Sequence, residues 1–120
     1  MIPMQAVTTI EIPQVYAERL AERLGNALAR VSLFGSRARG DASHRSDFDL
    51  MIVLHRPSGA HRDAVHGLAV ELELDHNVDL STKIVDEARF EELRRSNLPF
   101  WRRFERDERI LWPPSSSTNG

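Results

Sequence analysis

The sequence predicts a small α/β domain whose helices and strands alternate in the order α-β-α-β-α-β-α. Short apolar runs end at glycine or polar residues, as strands do, and the segments between them carry apolar residues at helical spacing. A length of 120 residues provides one hydrophobic core but no room for separate catalytic and substrate domains. We therefore expect one folded domain over residues 1–112 and a disordered tail over residues 113–120.

The early part of the chain predicts a helix, a strand and a second, short helix. Pro13 suits a first helical turn, and the apolar residues of 14–29 fall largely on one helical face. The apolar run over residues 30–34 predicts the first strand. Ser36 is expected to cap a short helix that Gly40 ends, because a serine hydroxyl accepts from the first helical amides and glycine adopts the left-handed cap conformation.

The middle of the chain repeats this alternation. Residues 48–54 are nearly all apolar, which is typical of a central strand covered on both faces. A second long helix is expected over residues 60–74, and the third strand over residues 77–85.

The C-terminal part of the chain is expected to be helical, with Asp86 as its cap and an interruption near Pro99. Residues 109–112 either add an edge strand or pack two large side chains. The segment "LRRSNLPFWRRFERDERILW" mixes arginines with aromatic residues and could stack on nucleic acid. The favoured interpretation is that its aromatic side chains pack in the core or on a partner while its arginines face solvent.

The composition excludes several classes of protein. The 16 Lys and Arg residues nearly balance 18 Asp and Glu residues, so the chain lacks the basic field typical of nucleic-acid-binding proteins. Without cysteine, disulfides, thiolate chemistry and zinc–thiolate sites are excluded. No apolar run approaches the roughly 20 residues that span a bilayer, and the N-terminus lacks a signal-peptide pattern. We expect a cytoplasmic protein that binds neither nucleic acid nor membranes.

The stretch "LFGSRARGDASHRSDFDLMIV", residues 33–53, carries the strongest chemical signal. Side chains two residues apart on a strand point to the same face, so Asp47 and Asp49 should project side by side. Two carboxylates about 4 Å apart repel by roughly 4 kcal/mol at an effective dielectric constant near 20, so a counter-charge is needed. The candidates are a divalent metal ion and three nearby arginines, Arg37, Arg39 and Arg45.

A third carboxylate favours the metal ion. Asp79 lies in "NVDLS", in an otherwise apolar segment that is predicted to form the third strand. Mg²⁺ prefers oxygen ligands and shares its coordination with substrate phosphates. Three acidic residues from two adjacent strands would form a two-metal site. Asp75 is nearby but lies at the end of a helical pattern, so it ranks below Asp79.

The Gly35-Ser36 pair supplies a candidate phosphate site. Glycine allows a tight turn and a close approach to a ligand, serine offers a hydroxyl, and the start of a helix presents unpaired N–H groups. Taken alone, the pair would more simply be an ordinary strand-to-helix turn with a capping serine. Beside the acidic pair, it predicts an anion cradle facing a metal site, as expected for a metal-bound nucleoside triphosphate.

Gly35-Ser36, ten intervening residues and then Asp47-Phe48-Asp49 together resemble the signature of the DNA polymerase β-type nucleotidyltransferase superfamily. Within it, "GSRARG" followed by "SDFDLMIVL" is similar to the minimal nucleotidyltransferase (MNT) domains encoded beside HEPN proteins in toxin–antitoxin pairs. The similarity spans about residues 31–85. It implies the nucleotidyltransferase fold, a small mixed sheet with helices packed on it, for the domain over residues 1–112.

The resemblance also implies a role for each acidic residue. Asp47 and Asp49 correspond to the two aspartates that bind both Mg²⁺ ions. Asp79 corresponds to the aspartate on the following strand that completes the metal site and helps to deprotonate the attacking hydroxyl. The metal ions would clamp the attacking and leaving oxygens of an in-line displacement.

The nucleotide-binding residues follow from the same resemblance. Gly35 and Ser36 correspond to the pair that holds the triphosphate of ATP. Arg37 and Arg39 are the nearest cations for the phosphate oxygens, although exposed arginines on a helix are just as often only solvated.

Family members described as antitoxins transfer AMP from ATP to a tyrosine hydroxyl of their HEPN partner. The resemblance therefore implies an Mg²⁺-dependent nucleotidyltransferase that modifies a HEPN toxin. The rival interpretation is a catalytically silent binding module that neutralises a partner by contact through its apolar C-terminal region. Transfer to a small molecule or to an RNA end is a third possibility.

Overall fold

The computed structural model describes residues 11–40 and 47–114, which form a four-stranded sheet with helices on both faces. Most of the predicted tail, residues 115–120, lies outside the described residues. The elements in chain order are α1 (Ile12–Leu24), a 3₁₀ turn (Gly25–Ala27), β1 (Leu28–Phe34), α2 (Ser36–Arg39), β2 (Phe48–Leu54), α3 (Gly59–His76), β3 (Leu80–Asp86), α4 (Glu87–Arg94), α5 (Pro99–Asp107) and β4 (Arg109–Trp112).

The sheet is mixed, as predicted, with the strand order β3-β2-β1-β4. β1 runs antiparallel to both β2 and β4, whereas β2 and β3 are parallel and are connected through α3. The central position and the bounds predicted for the strand over residues 48–54 are confirmed. Of the two alternatives for residues 109–112, the edge strand is the correct one.

Two hydrophobic clusters cover the two faces of the sheet. On one face, α1 and α3 pack over alternate residues of β1 and β2, and the buried Tyr16 hydroxyl donates a hydrogen bond of 2.9 Å to the Val65 carbonyl. On the other face, α4 and α5 bury Phe90 and Phe104 against Phe34 and the far side of β2. The aromatic residues of the C-terminal segment therefore mainly pack in the core, as favoured above.

The first helix is shorter than predicted. The i, i+4 spacing of Leu24 and Leu28 fits one helical face, but α1 ends at Leu24 because Gly25 has a φ of 54°. Leu28 instead opens β1 and pairs with Leu54 of β2, so the first strand begins two residues before the predicted start at Arg30. Strand pairing has overridden a local helical pattern.

Ser36 does not cap α2. Gly35 occupies the cap position, Ser36 is the first helical residue, and no side chain caps the helix. Gly40 ends α2 in the left-handed conformation with a φ of 79°, as predicted. Because α2 has only four residues, its dipole is weaker than that of a long helix.

The third strand begins later than predicted. Asn77 ends α3 in the left-handed conformation, with a φ of 53°, and β3 starts at Leu80. Asp79 therefore precedes β3 and does not lie within it. The predicted cap at Asp86 is confirmed, since its carboxylate accepts from the Ala88 amide at 2.8 Å. Pro99 begins α5, which explains the predicted interruption.

The predicted second long helix is confirmed and is longer than expected. α3 is capped by Ser58, whose hydroxyl accepts from the His61 amide at 3.2 Å. Within residues 11–40 and 47–114, no helix is both long and apolar enough to cross a membrane.

Candidate active site

The predicted acidic pair lies at the start of β2, on the sheet face that α4 and α5 partly cover. Asp49 is the second residue of β2, and Asp47 immediately precedes the strand. Met51 and Val53, which continue the same alternation, pack with the α4 and α5 aromatic cluster. Because alternate residues of a strand share a face, Asp47 and Asp49 point to the side of the sheet where this cluster ends.

The backbone places Asp79 beside Asp47. Phe48 pairs with Leu80 in the parallel ladder, and the Phe48 amide donates to the Asp79 carbonyl at 3.0 Å. Asp47 and Asp79 are both exposed. In the described part of the chain, no three His, Asp or Glu side chains are gathered closely enough to hold a metal ion. The three acidic residues thus share one end of two adjacent strands, but their carboxylates are not assembled into a closed cage.

Asp49 carries a negative charge that its surroundings do not neutralise. Burial of the carboxyl is the main cause that raises its pKa, the neighbouring charge of Asp47 raises it further, and Lys83 acts in the opposite direction. Neither Asp47 nor Asp49 forms an ion pair with another described residue. A cation bound between these carboxylates would relieve both their repulsion and the cost of burial.

The turn after β1 approaches Asp49 so closely that only glycine fits. Gly35 has a φ of 78°, and a Cβ atom added to it would lie 2.5 Å from the Asp49 Oδ2 atom. Phe34, the residue before it, pairs directly with Asp49 across the two antiparallel strands. The predicted phosphate turn and the acidic pair are therefore adjacent, and the first amides of α2, which lack helical acceptors, lie at this junction.

The predicted arginines occupy two different surroundings. The Arg37 guanidinium lies over the Phe48 ring, 4.3 Å from its centroid, and Phe48 belongs to the hydrophobic cluster on the sheet face opposite Asp49. Arg39 pairs with Asp107 of α5 at 3.4 Å, which ties α2 to the C-terminal helix. Arg45, the third candidate counter-charge, lies outside the described residues.

The nucleotidyltransferase domain family matches residues 15–111 of the chain, a range that includes the acidic residues and the glycine turn. The chain belongs to this family. The match extends well beyond the signature itself and covers every strand of the sheet almost completely.

Solved structures of toxin–antitoxin complexes share this fold. A toxin–antitoxin complex with AMP-PNP matches with a TM-score of 0.54 and 20% identity, over 85% of this chain and 74% of that one. A toxin–antitoxin MntA-HpeT complex carrying two aspartate-to-glutamate substitutions matches with a TM-score of 0.53 and 18% identity, over 85% and 74%. A tri-AMPylated HEPN toxin from Shewanella oneidensis with its MNT antitoxin gives 0.48 and 18%, over 87% and 72%. No curated protein shows significant similarity to the chain.

Nucleotidyltransferases of this kind are typically Mg²⁺-dependent, and the acidic face of this domain fits such an ion. Its donors are carboxylate oxygens, the ligands that Mg²⁺ prefers. The half-buried Asp49 carboxylate has no cationic partner within ion-pair distance among the described residues, and Gly35 leaves the space beside it clear of side-chain atoms. The Mg²⁺ prediction is consistent with this donor set and remains a prediction.

The nucleotidyltransferase domain carries one further cation that the sequence patterns did not single out. Lys83 is the only lysine in the chain. In the parallel ladder Ser81 lies beside Asp49 and Lys83 beside Met51, so the exposed lysine shares the face of the acidic pair. Two features of the sequence mark this residue. It is the single lysine in an arginine-rich chain, and it follows Asp79 by four residues.

Replacing Asp49 with Asn should stabilise the metal-free nucleotidyltransferase domain at neutral pH. The folded-state pKa of Asp49 lies above its ordinary value of 3.8, so folding binds the proton more tightly than the unfolded chain does. Wild-type stability therefore falls as the pH rises from that value through the folded pKa and is then constant. The gain from Asn should appear over the same window and vanish below it.

Chemical unfolding in EDTA from acid to neutral pH measures this effect. Asp63→Asn on α3 is the control, because it removes the same charge from an exposed position away from the acidic face. Equal stability changes for the two variants across the whole pH range would contradict the assignment of an unfavourable charge at Asp49.

Proposed function

We propose that this domain is an Mg²⁺-dependent nucleotidyltransferase that moves AMP from ATP to a hydroxyl of a partner protein, a tyrosine of a HEPN toxin, and so acts as an antitoxin. The observation that supports this proposal is the juxtaposition of an uncompensated carboxylate pair with a turn that admits only glycine. An acidic pair alone could be structural. Beside a turn that carries no side chain, the acidic pair would bind a cation and the backbone of the turn would bind phosphate.

Asp47, Asp49 and Asp79 would hold the metal ions. Bound there, Mg²⁺ would neutralise charge on the reacting phosphate and on the attacking and leaving oxygens. Asp49 is fixed in the sheet, whereas Asp47 and Asp79 are exposed and precede their strands, so their side chains are free to turn toward a cation. Asp79 is also the residue proposed to take the proton from the acceptor hydroxyl.

The other end of the site would hold the phosphates. Gly35 and Ser36 present backbone N–H groups and a hydroxyl at the start of α2. Arg37 lies over Phe48 at the start of β2, and Arg39 lies on the same turn with its guanidinium near α5. Charge-assisted hydrogen bonds from these groups would orient the triphosphate and stabilise pyrophosphate as it leaves.

The reaction is a substitution at the α-phosphorus. The acceptor oxygen forms a bond to that phosphorus as the bond to the bridging oxygen of pyrophosphate breaks, and the hydroxyl proton passes to a carboxylate. The domain contributes mainly position and electrostatic complementarity, as is general for phosphoryl and nucleotidyl transfer. No covalent attachment of the nucleotide to this chain is required.

A protein acceptor is supported by two lines of reasoning. The resemblance to MNT domains implies a HEPN partner, and two solved structures that share the fold are toxin–antitoxin complexes, one of them with AMP-PNP. Their identities of 20% and 18% establish the fold alone. We therefore propose, on the basis of the resemblance, both the protein acceptor and the use of ATP as the nucleotide.

The test is transfer of label from ATP to a candidate HEPN protein in the presence of Mg²⁺. Label on the α-phosphorus should become attached to the partner, whereas label on the γ-phosphorus should not, because it leaves in pyrophosphate. Mass spectrometry of the labelled protein should find AMP on a hydroxyl residue. Transfer of the γ-label, or no transfer with any HEPN protein that binds the domain, would contradict the proposal.

A second function is favoured by one observation. Among the described residues, the three carboxylates are not gathered into a group that could hold a metal ion. A module that neutralises its partner by contact alone would not need such a group. Such a module would bind its partner with the same affinity with or without Mg²⁺ and ATP. It would also protect cells from the toxin when Asp47 is replaced, whereas the enzyme would not.

Lys83→Met should weaken binding of the nucleotide. The lysine is expected to contact a phosphate oxygen or the acceptor side of the site, and loss of one such charge-assisted contact typically raises KM by about tenfold. Lys83→Arg keeps the charge and should restore most of the affinity. Because Lys83 is the only lysine, amine-reactive labelling followed by peptide mapping gives a second measurement. Mg·ATP should protect it, and an unchanged labelling rate would exclude the contact.

A further inference from the structure

The helix α5 presents an arginine cleft on its solvent face. Arg102, Arg103 and Arg106 are exposed and, together with Pro99, line a cleft of about 440 Å³ among the described residues. Their spacing of three and four residues places the guanidinium groups on one side of the helix. The opposite side of α5 carries Phe104, which is buried in the core. This surface has no role in the function proposed above.

Two of these arginines have no local counter-charge. Arg102 and Arg103 form no ion pair with any described residue, whereas Arg106 pairs with Asp107 at 2.8 Å. Three acidic residues at the end of α5 and directly after it are each paired with an arginine that lies outside the cleft. The pairs are Glu105 with Arg94 at 3.5 Å, Asp107 with Arg39 at 3.4 Å, and Glu108 with Arg30 at 2.9 Å.

The surroundings of the cleft are those of a protein interface. Leu98, which directly precedes Pro99, keeps 54% of its surface exposed although it is large and apolar. Surfaces that combine exposed aromatic or aliphatic side chains with arginine are typical of protein–protein contacts. An arginine fork also matches a carboxylate in a bidentate arrangement.

The charge distribution disfavours a nucleic acid at this cleft. The three arginines span about 6 Å along the helix, which is enough for one or two phosphates only. The chain as a whole has a formal net charge of −2, so it lacks a basic surface along which a phosphodiester backbone could continue. A short acidic segment of a folded protein needs no such continuation.

We propose that the arginine cleft of α5 docks an acidic segment of a partner protein through paired carboxylates. The cleft also lies on the helix that contacts the candidate active site at both ends. Phe100 packs edge-on against Phe34 at 5.9 Å between ring centroids, and Asp107 pairs with Arg39 of α2. A protein held on α5 would therefore lie alongside the turn between β1 and α2.

The test uses NMR titration of the full chain with a synthetic helical peptide that carries glutamates at i, i+3 and i+4, the spacing that matches one helix face. Its glutamine counterpart and a single-stranded RNA of equal charge are the comparison probes. The acidic peptide should shift the Nε–Hε signals of the cleft arginines, and the glutamine peptide should not. The titration contains neither nucleotide nor Mg²⁺, so its result is independent of any transferase activity.

Matched variants then localise the binding. Arg102→Glu and Arg103→Glu should each weaken peptide binding by about tenfold or more. Arg62→Glu, an exposed position of α3 on the other side of the sheet, changes the net charge equally and should leave binding unchanged. Tighter binding of the RNA than of the acidic peptide, equal effects of all three variants, or peptide shifts outside α5 would each overturn the proposal.

Discussion

Asp47→Asn is expected to abolish nucleotide transfer while leaving the fold intact. The substitution keeps the size of the side chain but removes one of the charges that would hold Mg²⁺. Metal ions in such sites contribute several kcal/mol of charge stabilisation, so the rate should fall by roughly 100-fold or more. Because Asp47 is exposed and precedes β2, the free energy of unfolding should change by no more than about 0.5 kcal/mol.

Two measurements distinguish this loss from a general defect. Transfer of label from the α-phosphorus of ATP reports the reaction, and the rise in Tm on addition of Mg²⁺ reports metal binding without any reaction. Both should be present in the wild type and in Asp63→Asn, and both should be lost in Asp47→Asn. Affinity for a HEPN partner should be similar in all three proteins.

The possible failures of this prediction have different meanings. Transfer at the wild-type rate by Asp47→Asn would mean that the reaction uses other residues. If no protein transfers label but all bind the partner and protect against it, the domain acts by contact alone. A Tm that Mg²⁺ does not raise in the wild type would remove the metal ion from the proposal, even if the partner still binds.

The central strand could be predicted to the residue because its sequence leaves no alternative. Phe48–Leu54 is almost entirely apolar and is bounded by an acidic residue and by a polar turn, so local pattern and tertiary position agree. The acidic pair was visible for the same reason, since Asp49 is the one charged residue inside that strand. A charge in a buried strand is a strong signal because burial without compensation is costly.

The errors lie where tertiary pairing decides between two local possibilities. Leu28 fits the helical face of α1 by spacing, yet it pairs with Leu54 in the sheet. The sequence pattern predicts Val78 and Asp79 within β3, but the left-handed turn at Asn77 delays the strand to Leu80. In the sequence Lys83 is indistinguishable from an ordinary solvated lysine, and only the parallel register shows which face it shares.

Gly35→Ala is expected to abolish transfer at a modest cost in stability. The backbone at Gly35, with a φ of 78° and a ψ of −161°, is one that residues with a side chain adopt only with strain, typically about 1 to 3 kcal/mol. The new Cβ would also meet the Asp49 Oδ2 atom at 2.5 Å. That atom ends a short side chain that can rotate away, so the clash displaces the proposed metal ligand and does not unfold the sheet.

Gly25→Ala separates the two effects. Gly25 also has a positive φ, 54°, but nothing lies within 4 Å of the added Cβ, and the residue is in the turn between α1 and β1. Both variants should therefore lose stability, whereas only Gly35→Ala should lose transfer and the Mg²⁺-induced rise in Tm.

A double-mutant cycle with Asp49→Ala tests the contact itself. Removing the Asp49 carboxylate should reduce the stability cost of Gly35→Ala, because the alanine methyl then has space, but it should not change the cost of Gly25→Ala. If the two glycine variants retain equal activity, or if Asp49→Ala leaves the cost of Gly35→Ala unchanged, then the close approach of this turn to the acidic strand does not shape the site.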